Sequence, residues 1–466
     1  MKIRVEYDKD VTSQPSDTVK VLKISVKAVQ DAGGVTFPEE DEKEPDSYDG
    51  IQYLKNRILA DNTAQADTDI DFSQPSSYNV RGLYYTSTNT EGNKTTYYFR
   101  GNVRNNFVKF GTYTKNACMY KGKEVIHMDD YGDFGGSGYV PSMTEEECMS
   151  YPVCETNGDY VVGWVEESDA SGEYSFCTNN LGGEMPGDYA TYEPVQADLW
   201  WRIVRINEDG SVRLVTQDIV GTSKYNEIYD DNAYVGYMYG TQDSSTHLAT
   251  HANNNPSTMK TYLDEWYTSN LSSYTSLIST NAGFCNDRSV ASSAKLWSSY
   301  DTALGYGKNN TYYGAAERLV NIDEGTAKEN AQPQFKCPNE ERDLFTMSTS
   351  TKGNKKLTKP IGLLTADEVS YAGGVYYKSN FNMYLSGNNF WTMSPYNFDG
   401  ANAIGWYMIN NGGEYDGAAY ASYMYGLRGV RPVINLAPSA ELSTELPSWC
   451  SGSDGTILCP YIIKTN

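Results

Sequence analysis

Apolar and polar residues alternate over several stretches of this chain, and that period of two predicts β-strands. Two such stretches, KIRVEY and VLKISVKAV, lie within residues 1–30. The segment GLYYTSTNTEGNKTTYYFRG predicts a hairpin that turns at Glu91–Gly92–Asn93, and NNFVKFGTY predicts a further strand. LWWRIVRI and SVRLVTQ predict a second hairpin around the turn Asn207–Glu208–Asp209–Gly210. In the first of these two strands Trp200 and Trp201 must point to opposite faces, so at least one of them belongs to the core.

Helical spacing of apolar residues appears in three places. GIQYLKNRILADN and STMKTYLDEWYTSNLSSYTSLI each predict an amphipathic helix. In KPIGLLTADEVSYAGG, residues 361–364 predict a short strand, and a helix follows it. Thr365 and Glu368 have the spacing of a capping box, and Gly373–Gly374 would end this helix near Ala372.

The stretch Phe390–Leu436 has an apolar frame and a polar, aromatic middle. It opens with FWTMSP and closes with GVRPVINL, and between them lie Asn, Tyr, Gly, Ala and Asp. Tyrosine offers contact area and a hydroxyl at low entropic cost, while Asn and Gly adapt, so this composition is typical of a binding face. The alternative for any single tyrosine is a place in a Tyr-rich core. Trp391, within the frame, is predicted to be core, and Trp406 lies within the suspected face.

The eight cysteines predict disulfides and therefore an oxidising, extracellular compartment, because none of them forms a C-x-x-C pair. Cys285 is expected to pair with Cys337, and Cys450 and Cys459 are placed to close a small hairpin. Within residues 113–196, which are poor in aliphatic runs, spacing does not choose among the three possible pairings. The four cysteines of that segment are Cys118, Cys148, Cys154 and Cys177.

Charge and hydropathy narrow the classes of partner. The formal net charge of −23 argues against nucleic acid and anionic membrane as partners. No apolar run approaches the ~20 residues of a membrane span, and no secretory signal follows Met1. We therefore expect no membrane insertion in this segment, and we expect the chain to be a mature or excised portion of a longer secreted protein.

These patterns predict an α+β protein with five parts. Residues 1–37 hold N-terminal β-strands, which resemble the closing strands of β-sandwich domains of Gram-positive surface fibres. Residues 38–49 form an acidic linker. A ligand-binding domain is predicted for 50–112 and 197–438, interrupted at 113–196 by a Cys-rich insertion that disulfides stabilise, and residues 439–466 form a C-terminal disulfide hairpin.

One family resemblance covers roughly 50–112 and 197–438. The ordered segments YYFRGNVRNNFVKFG, LWWRIVRINEDGSVRLV, YLDEWY, GLLTADEVSYAGG, FWTMSP and GVRPVINL resemble a domain of Gram-positive bacterial surface proteins. That domain is similar to the C-type-lectin-like folds of formylglycine-generating enzymes and of retroelement-diversified variable proteins. The resemblance implies a C-type-lectin-like mixed β core with two helices, with the two ends of the domain paired near each other.

The same resemblance implies a ligand surface between Trp391 and Gly429. In the diversified relatives, the variable positions precede the C-terminal strand and are rich in Asn, Tyr, Asp and Ser. The matching positions here are Tyr396, Asn397, Asp399, Asn402, Trp406, Tyr407, Asn410, Asn411, Glu414, Tyr415, Asp416, Tyr420, Tyr423 and Tyr425.

Other chemistries are less well supported by the residues. His247 and His251 have helical i, i+4 spacing but lack the adjacent Glu of a zinc hydrolase, so we predict a polar loop and no metal. Asp399, Asn402 and the carboxylates near 415 could supply calcium oxygens, but no sugar-site run of the Glu-Pro-Asn type is present. Residues 391–436 contain no cysteine or histidine, which removes the chemistry of the formylglycine-generating relatives. Arg428 and Arg431 are expected to pair with backbone carbonyls or carboxylates.

The sequence therefore predicts a surface-displayed, adhesin-like binding protein without enzymatic activity or cofactor. Its partner would be a protein or a glycan on another cell or phage surface. The alternatives are a structural fibre or shell subunit, and a glycan hydrolase that uses two carboxyl groups facing a cleft.

Overall fold

The structure is a computed structural model, and it describes residues 52–128, 145–150, 153–156, 159–163, 189–291, 304–387, 389–410 and 417–465. The chain divides into Met1–Ser47 and Tyr48–Asn466. The predicted N-terminal strands and the acidic linker lie outside the described residues. The second unit is mixed α+β, with many strands and few helices.

The described elements are numbered in chain order. The helices are α1 Leu54–Asp61, α2 Glu145–Ser150, α3 His247–Thr250, α4 Thr258–Asn270, α5 Gly314–Leu319, α6 Glu340–Asp343 and α7 Ala366–Ala372. The strands are β1 Gln65–Ala66, β2 Gly82–Thr86, β3 Thr96–Arg100, β4 Phe107–Tyr120, β5 Lys123–Glu124, β6 Ile126–Met128, β7 Cys154–Thr156, β8 Asp159–Gly163, β9 Thr191–Ile206, β10 Val212–Thr216, β11 Thr222–Ser223, β12 Met238–Tyr239, β13 Asn255–Pro256, β14 Phe284–Cys285, β15 Thr311–Tyr312, β16 Val320–Asn321, β17 Thr326–Ala327, β18 Leu344–Phe345, β19 Phe390–Phe398, β20 Ala403–Met408, β21 Ala419–Tyr423, β22 Arg428–Gly429, β23 Val433–Leu436 and β24 Tyr461–Ile462.

Two sheets carry the fold. A nine-stranded sheet has the order β1-β2-β3-β9-β10-β23, with β4 pairing β9, β5 and β24. A six-stranded sheet has the order β11-β22-β19-β20-β21, with β15 also pairing β19. One hydrophobic core spans both sheets and α4, and it includes Trp201, Leu263, Trp391 and Ile434. The second sheet supplies the candidate ligand surface.

The two predicted hairpins form. β2 pairs antiparallel with β3, and β9 pairs antiparallel with β10. The turn of the second hairpin closes through the Gly210 N–H, which donates to the Asn207 carbonyl, and Gly210 has a φ of 82°. That left-handed conformation is inexpensive only for glycine. As the alternation requires, Trp201 is fully buried and Trp200 is half-buried.

The predicted capping box forms at the start of α7. The Thr365 hydroxyl accepts from the Glu368 N–H, and the Glu368 carboxylate accepts from the Thr365 N–H, each at 3.0 Å. Gly373 ends this helix with a φ of 117°. The short strand predicted at 361–364 does not form, because only Gly362 there makes a β-bridge, to Val433.

The insertion begins further along the chain than the sequence predicted. β4 and β9 pair from Phe107–Arg202 out to Met119–Thr191, so 113–119 and 191–196 form a two-stranded ribbon and not a separate segment. Both faces of the ribbon's middle are partly exposed, which explains why it lacks the apolar runs of a core strand. Beyond it lies a small separate core, stabilised by the Cys118–Cys148 disulfide. Cys177 lies outside the described residues.

The C-terminal segment is more integrated than predicted. Cys450 and Cys459 do pair, with Cα atoms 5.7 Å apart, but they close a turn-rich loop and not a hairpin. β24 then joins the large sheet parallel to β4, with Tyr461 opposite Val108. Near the other end of the unit, Tyr53 forms a bridge with Glu441.

A candidate ligand surface at the end of the second sheet

The turns at one end of the six-stranded sheet lie side by side. β19 and β20 pair from Phe390–Met408 to Phe398–Ala403, so the turn 399–402 lies at the Ala403 end. β21 pairs with β20 so that Tyr423 faces Ile404, and the Met424 N–H donates to the Ala403 carbonyl. The turn 424–427 therefore reaches the same end of the sheet.

A loop from elsewhere in the chain joins these two turns. The Ala403 N–H donates to the Tyr229 carbonyl at 2.7 Å, and the Tyr225 and Asn226 N–H groups both donate to the Met424 carbonyl. This backbone pairing places Tyr229 beside the C-terminal tyrosines, although about 200 residues separate them in sequence.

Three tyrosine rings make an exposed cluster there. The Tyr423 and Tyr425 rings are nearly parallel, with centroids 5.4 Å apart, and the Tyr229 ring centroid lies 4.3 Å from that of Tyr425. Their exposed fractions are 44% for Tyr423, 37% for Tyr425 and 36% for Tyr229. With Asp399 and Asn402, these tyrosines define what we call the turn-end surface.

The turns that carry this surface are held by hydrogen bonds. The Asp399 carboxylate accepts from the N–H groups of Ala401 and Asn402, at 3.0 and 2.7 Å. The Gly426 N–H donates to the Tyr423 carbonyl at 2.9 Å. The side chains are therefore presented from ordered turns, which lowers the entropic cost of binding.

Four of the predicted ligand residues are buried, and this corrects the sequence prediction. Tyr396, Asn397, Trp406 and Tyr407 have exposed fractions of 7%, 5%, 1% and 6%. Every residue of β19 is buried because the strand lies inside its sheet and is covered on both faces. The Tyr396 and Trp406 ring centroids are 5.3 Å apart, and each also packs against the buried Tyr376. These aromatic side chains belong to the core.

Tyr420 and Asn410 occupy an intermediate position. Tyr420 is half-buried and stacks on Tyr377 with ring centroids 5.2 Å apart. Burial, and then the hydrogen bond with Tyr377, raise the pKa of Tyr420 to about 12. Asn410 is half-buried, and its backbone N–H and carbonyl both form hydrogen bonds with the Asn389 side chain. The remaining predicted ligand residues, Asn411, Glu414, Tyr415 and Asp416, lie outside the described residues.

The sequence prediction did not include two exposed tyrosines that lie beside β21. Tyr229 lies in KYNEIYDDN, which has a polar composition similar to many loops of this chain, and Tyr377 lies just after Gly373–Gly374. Tyr377 is 37% exposed and has a φ of 60°. Composition could have marked both residues as Tyr-rich loop positions, but only the pairing of distant strands shows that they flank β21.

The remaining frame residues have the structural roles that the sequence predicted. Trp391 is fully buried, and its indole N–H donates to the Ser223 carbonyl. Arg431 is buried and donates to the Thr216 carbonyl at 2.8 Å. Arg428 donates to the Leu427 carbonyl at 2.8 Å and to the Ser422 hydroxyl, and its guanidinium lies 4.9 Å from the Tyr407 ring centroid.

The two histidines lie at a short helix and not in a polar loop. Their ring centroids are 4.5 Å apart, and His251 is fully buried. Burial, followed by the charge of Arg342, lowers the pKa of His247 to about 4. Burial, followed by the charge of Arg288, lowers the pKa of His251 well below its usual value. Among the described residues no group of three or more His, Cys, Asp or Glu side chains could hold a metal ion.

One cavity is lined by a buried group of carboxylates, the arrangement that most resembles the paired carboxyl groups of a glycan hydrolase. Asp287, Asp367 and Glu368 face a space of about 30 Å³, which is the volume of roughly one water molecule. Arg318 forms ion pairs with Asp287 at 2.7 Å and with Asp367 at 2.8 Å, and Arg213 forms one with Glu368 at 2.7 Å. Every carboxylate of this group is thus ion-paired, and the space is too small for a sugar ring.

No protein-family model, curated protein or solved structure matches the chain. Within the described part of the chain, no helix is long and apolar enough to cross a membrane. The function is therefore inferred from the geometry of the chain itself.

Proposed function

We propose that this chain is an extracellular, adhesin-like recognition protein that binds its partner through the turn-end surface. The observation that carries the proposal is the cluster of Tyr229, Tyr423 and Tyr425, whose rings contact one another and remain exposed. Exposed aromatic groups on rigid turns are suited to act as binding anchors, because little entropy is lost when a partner covers them. Asp399 and Asn402 add directional hydrogen-bonding groups at the rim.

The disulfides support the extracellular part of the proposal. The structure contains Cys118–Cys148, Cys285–Cys337 and Cys450–Cys459. Disulfides persist in oxidising compartments, where a surface-displayed protein would be located. The partner would be a protein or a glycan on another cell or phage surface.

The C-type-lectin-like scaffold remains part of the proposal. Two contacts favour it: Tyr53 bridges Glu441 near the two ends of the segment, and β23 pairs antiparallel with β10 of the central hairpin. Both are expected of a domain whose ends meet. If retroelement diversification acts on this gene, it should favour the exposed positions Asp399, Tyr423 and Tyr425 and the half-buried Asn402 over the four buried ones.

The experiment compares tyrosine variants on defined probes. The full chain would be applied to a glycan microarray and to a panel of immobilised extracellular proteins, alongside Y423A/Y425A and the control Y85A. Tyr85 is 39% exposed but lies on β2 of the other sheet. We expect the double variant to lose at least tenfold in affinity for any probe that binds the full chain, with Tm nearly unchanged, while Y85A binds normally.

Two results would contradict the proposal. Equal binding by Y423A/Y425A and the full chain would place recognition elsewhere on the molecule. Unfolding of the double variant would show that these rings are structural. Growth of polymers with concentration, followed by light scattering, would instead favour the fibre-subunit alternative.

A further inference from the structure

We propose that the open edge of β21 binds an extended segment of another polypeptide, which adds to the six-stranded sheet as a further strand. This inference rests on the proposed function, because the edge adjoins the turn-end surface, and it specifies the partner as protein. β21 is the last strand in the order β11-β22-β19-β20-β21, so among the described residues one of its sides has no partner strand over most of its length.

The pairing register shows which backbone groups point outward. The Ala419 N–H donates to the Val375 carbonyl, and the Ala419 carbonyl accepts from the Tyr377 N–H, both away from β20. Backbone groups that point outward and inward alternate along a strand. The N–H and carbonyl of Ala421 and the N–H of Tyr423 therefore also point away from β20. The Tyr423 carbonyl already accepts from Gly426. In the part of the chain that the structure describes, no backbone partner for Ala421 lies on that side.

Another segment of the chain already pairs with one end of this edge through an isolated bridge. Residues Val375–Tyr377 lie beside Ala419, and Tyr376 forms a parallel bridge to it. That segment then turns away, because the Lys378 N–H donates back to the Val375 carbonyl. The described part of the chain leaves the edge beyond Ala419 open for about three residues, or roughly 10 Å at about 3.3 Å per residue.

The sequence of β21 lacks the usual protection of an exposed edge. Such edges commonly carry lysine, proline or an inward-pointing charge, which discourage strand addition. Here the strand reads AYASY. Tyrosines flank the open edge, with Tyr377 and Tyr420 at one end and Tyr423 and Tyr425 at the other. They would contact alternate side chains of the added strand, which is how strand-addition sites obtain specificity.

The chemistry of the edge selects a polypeptide over a glycan. Alternating N–H and C=O groups at strand spacing match another polypeptide backbone, and sugar hydroxyls do not repeat that pattern. A second copy of this chain is disfavoured, because two molecules of net charge −23 repel each other.

The experiment uses a phage-displayed heptapeptide library as the probe and the full chain as the target. Enriched peptides would be synthesised with single N-methylated amides at each position. We expect N-methylation at a single position to weaken binding at least tenfold, because the Ala421 carbonyl is the one outward acceptor of this edge that the described residues leave open to a peptide N–H.

A matched pair of variants tests the protein side. A421P removes the outward N–H while leaving the β20 pairing intact, a position at which edge strands tolerate proline. A421S keeps the N–H. We expect A421P to bind the enriched peptides at least tenfold more weakly and A421S to bind them normally. If A421P does not fold, the N-methylated series on the unaltered chain still decides the question.

The inference is overturned if no peptide is enriched, if N-methylation weakens binding at no position, or if folded A421P binds normally. It is also overturned if sedimentation shows self-association that A421P abolishes, since the occupant would then be a second copy. Loss of array binding in Y423A/Y425A together with normal binding by A421P would leave the proposed function standing and remove strand addition alone.

Discussion

At the scale of single residues, the same residue type has opposite roles within one stretch. Tyr407 and Tyr423 both lie in the Tyr/Asn-rich segment, yet the exposed fraction is 6% for the first and 44% for the second. Trp406 is 1% exposed, and its indole N–H is buried without a hydrogen-bond partner among the described residues. A buried unpaired donor is destabilising, so the aromatic contacts around Trp406 must outweigh that cost.

A pH dependence follows from the buried histidines. The folded-state pKa of His247 is about 4, below its usual 6.5, and that of His251 is also lowered. The unfolded chain therefore binds protons first as the pH falls. Stability from these groups is complete above pH 6.5 and declines as the pH falls from 6.5 towards 4. Protonation of the two histidines is opposed by their burial and by the positive charges of Arg288 and Arg342. Asp343 pairs with both arginines and offsets their charge only in part.

The measurement is Tm against pH for the unaltered chain and for H247Q. We expect the difference between the two curves to change between pH 6.5 and 4, with H247Q losing less stability over that interval. Carboxylates titrate in the same range in both proteins, so the comparison isolates the histidine. Parallel curves for the two proteins would contradict the prediction.

At the scale of elements, α7 connects a local signal to the centre of the fold. Its capping residue Glu368 also accepts a hydrogen bond from Arg205 at 3.0 Å and forms an ion pair with Arg213 at 2.7 Å, and both arginines lie on the central hairpin. A capping box normally stabilises only its own helix. Here the same carboxylate also compensates a fully buried guanidinium, because Arg213 is 1% exposed.

Substitutions at the two capping residues should therefore differ in cost. We expect T365A to lower the free energy of unfolding by about 1 kcal/mol, the usual cost of losing a helix cap. E368Q should lower it by about 3–5 kcal/mol, because it leaves a buried arginine without its counter-charge. Urea unfolding measures both, with T365S as the control that keeps the hydroxyl. Equal losses for T365A and E368Q would show that the arginine contacts contribute little.

At the scale of the whole molecule, the insertion is built apart from the main core. The two hydrophobic cores share no buried residue among those described. They are connected by the β4–β9 ribbon. Residues 121–190 also contain 15 Asp and Glu residues against two lysines, so much of the negative charge of the chain lies beyond the ribbon.

Removal of the insertion should leave the main unit folded. The change replaces 121–189 by Asn-Gly, a turn that suits a two-residue hairpin, and replaces Cys118 by Ser. We expect Tm to fall by no more than about 5 °C, which corresponds to roughly 3–4 kcal/mol for a unit of this size, and array binding to be retained. Scanning calorimetry and the array measure these outcomes. Loss of the cooperative transition would show that the insertion supports the main core.

The local features of this protein were predictable from its sequence. They include both hairpins, the Thr365–Glu368 capping box, the glycine that ends α7 and the Cys285–Cys337 and Cys450–Cys459 pairs. Alternation, capping and turn conformation depend on residues within a few positions of each other, so they can be read along the chain. For the two disulfides, pairing the cysteines nearest in sequence was enough.

Which tyrosines reach the surface depends instead on the tertiary structure. Period-two alternation assigns one face of a strand to the interior, but β19 is buried on both faces, which no alternation could indicate. The turn-end surface likewise required Tyr229 to meet Tyr425 across about 200 residues of sequence. Tyrosine suits a core and a binding face equally well, because its ring is apolar and its hydroxyl is polar. Its role is therefore fixed by what packs against it.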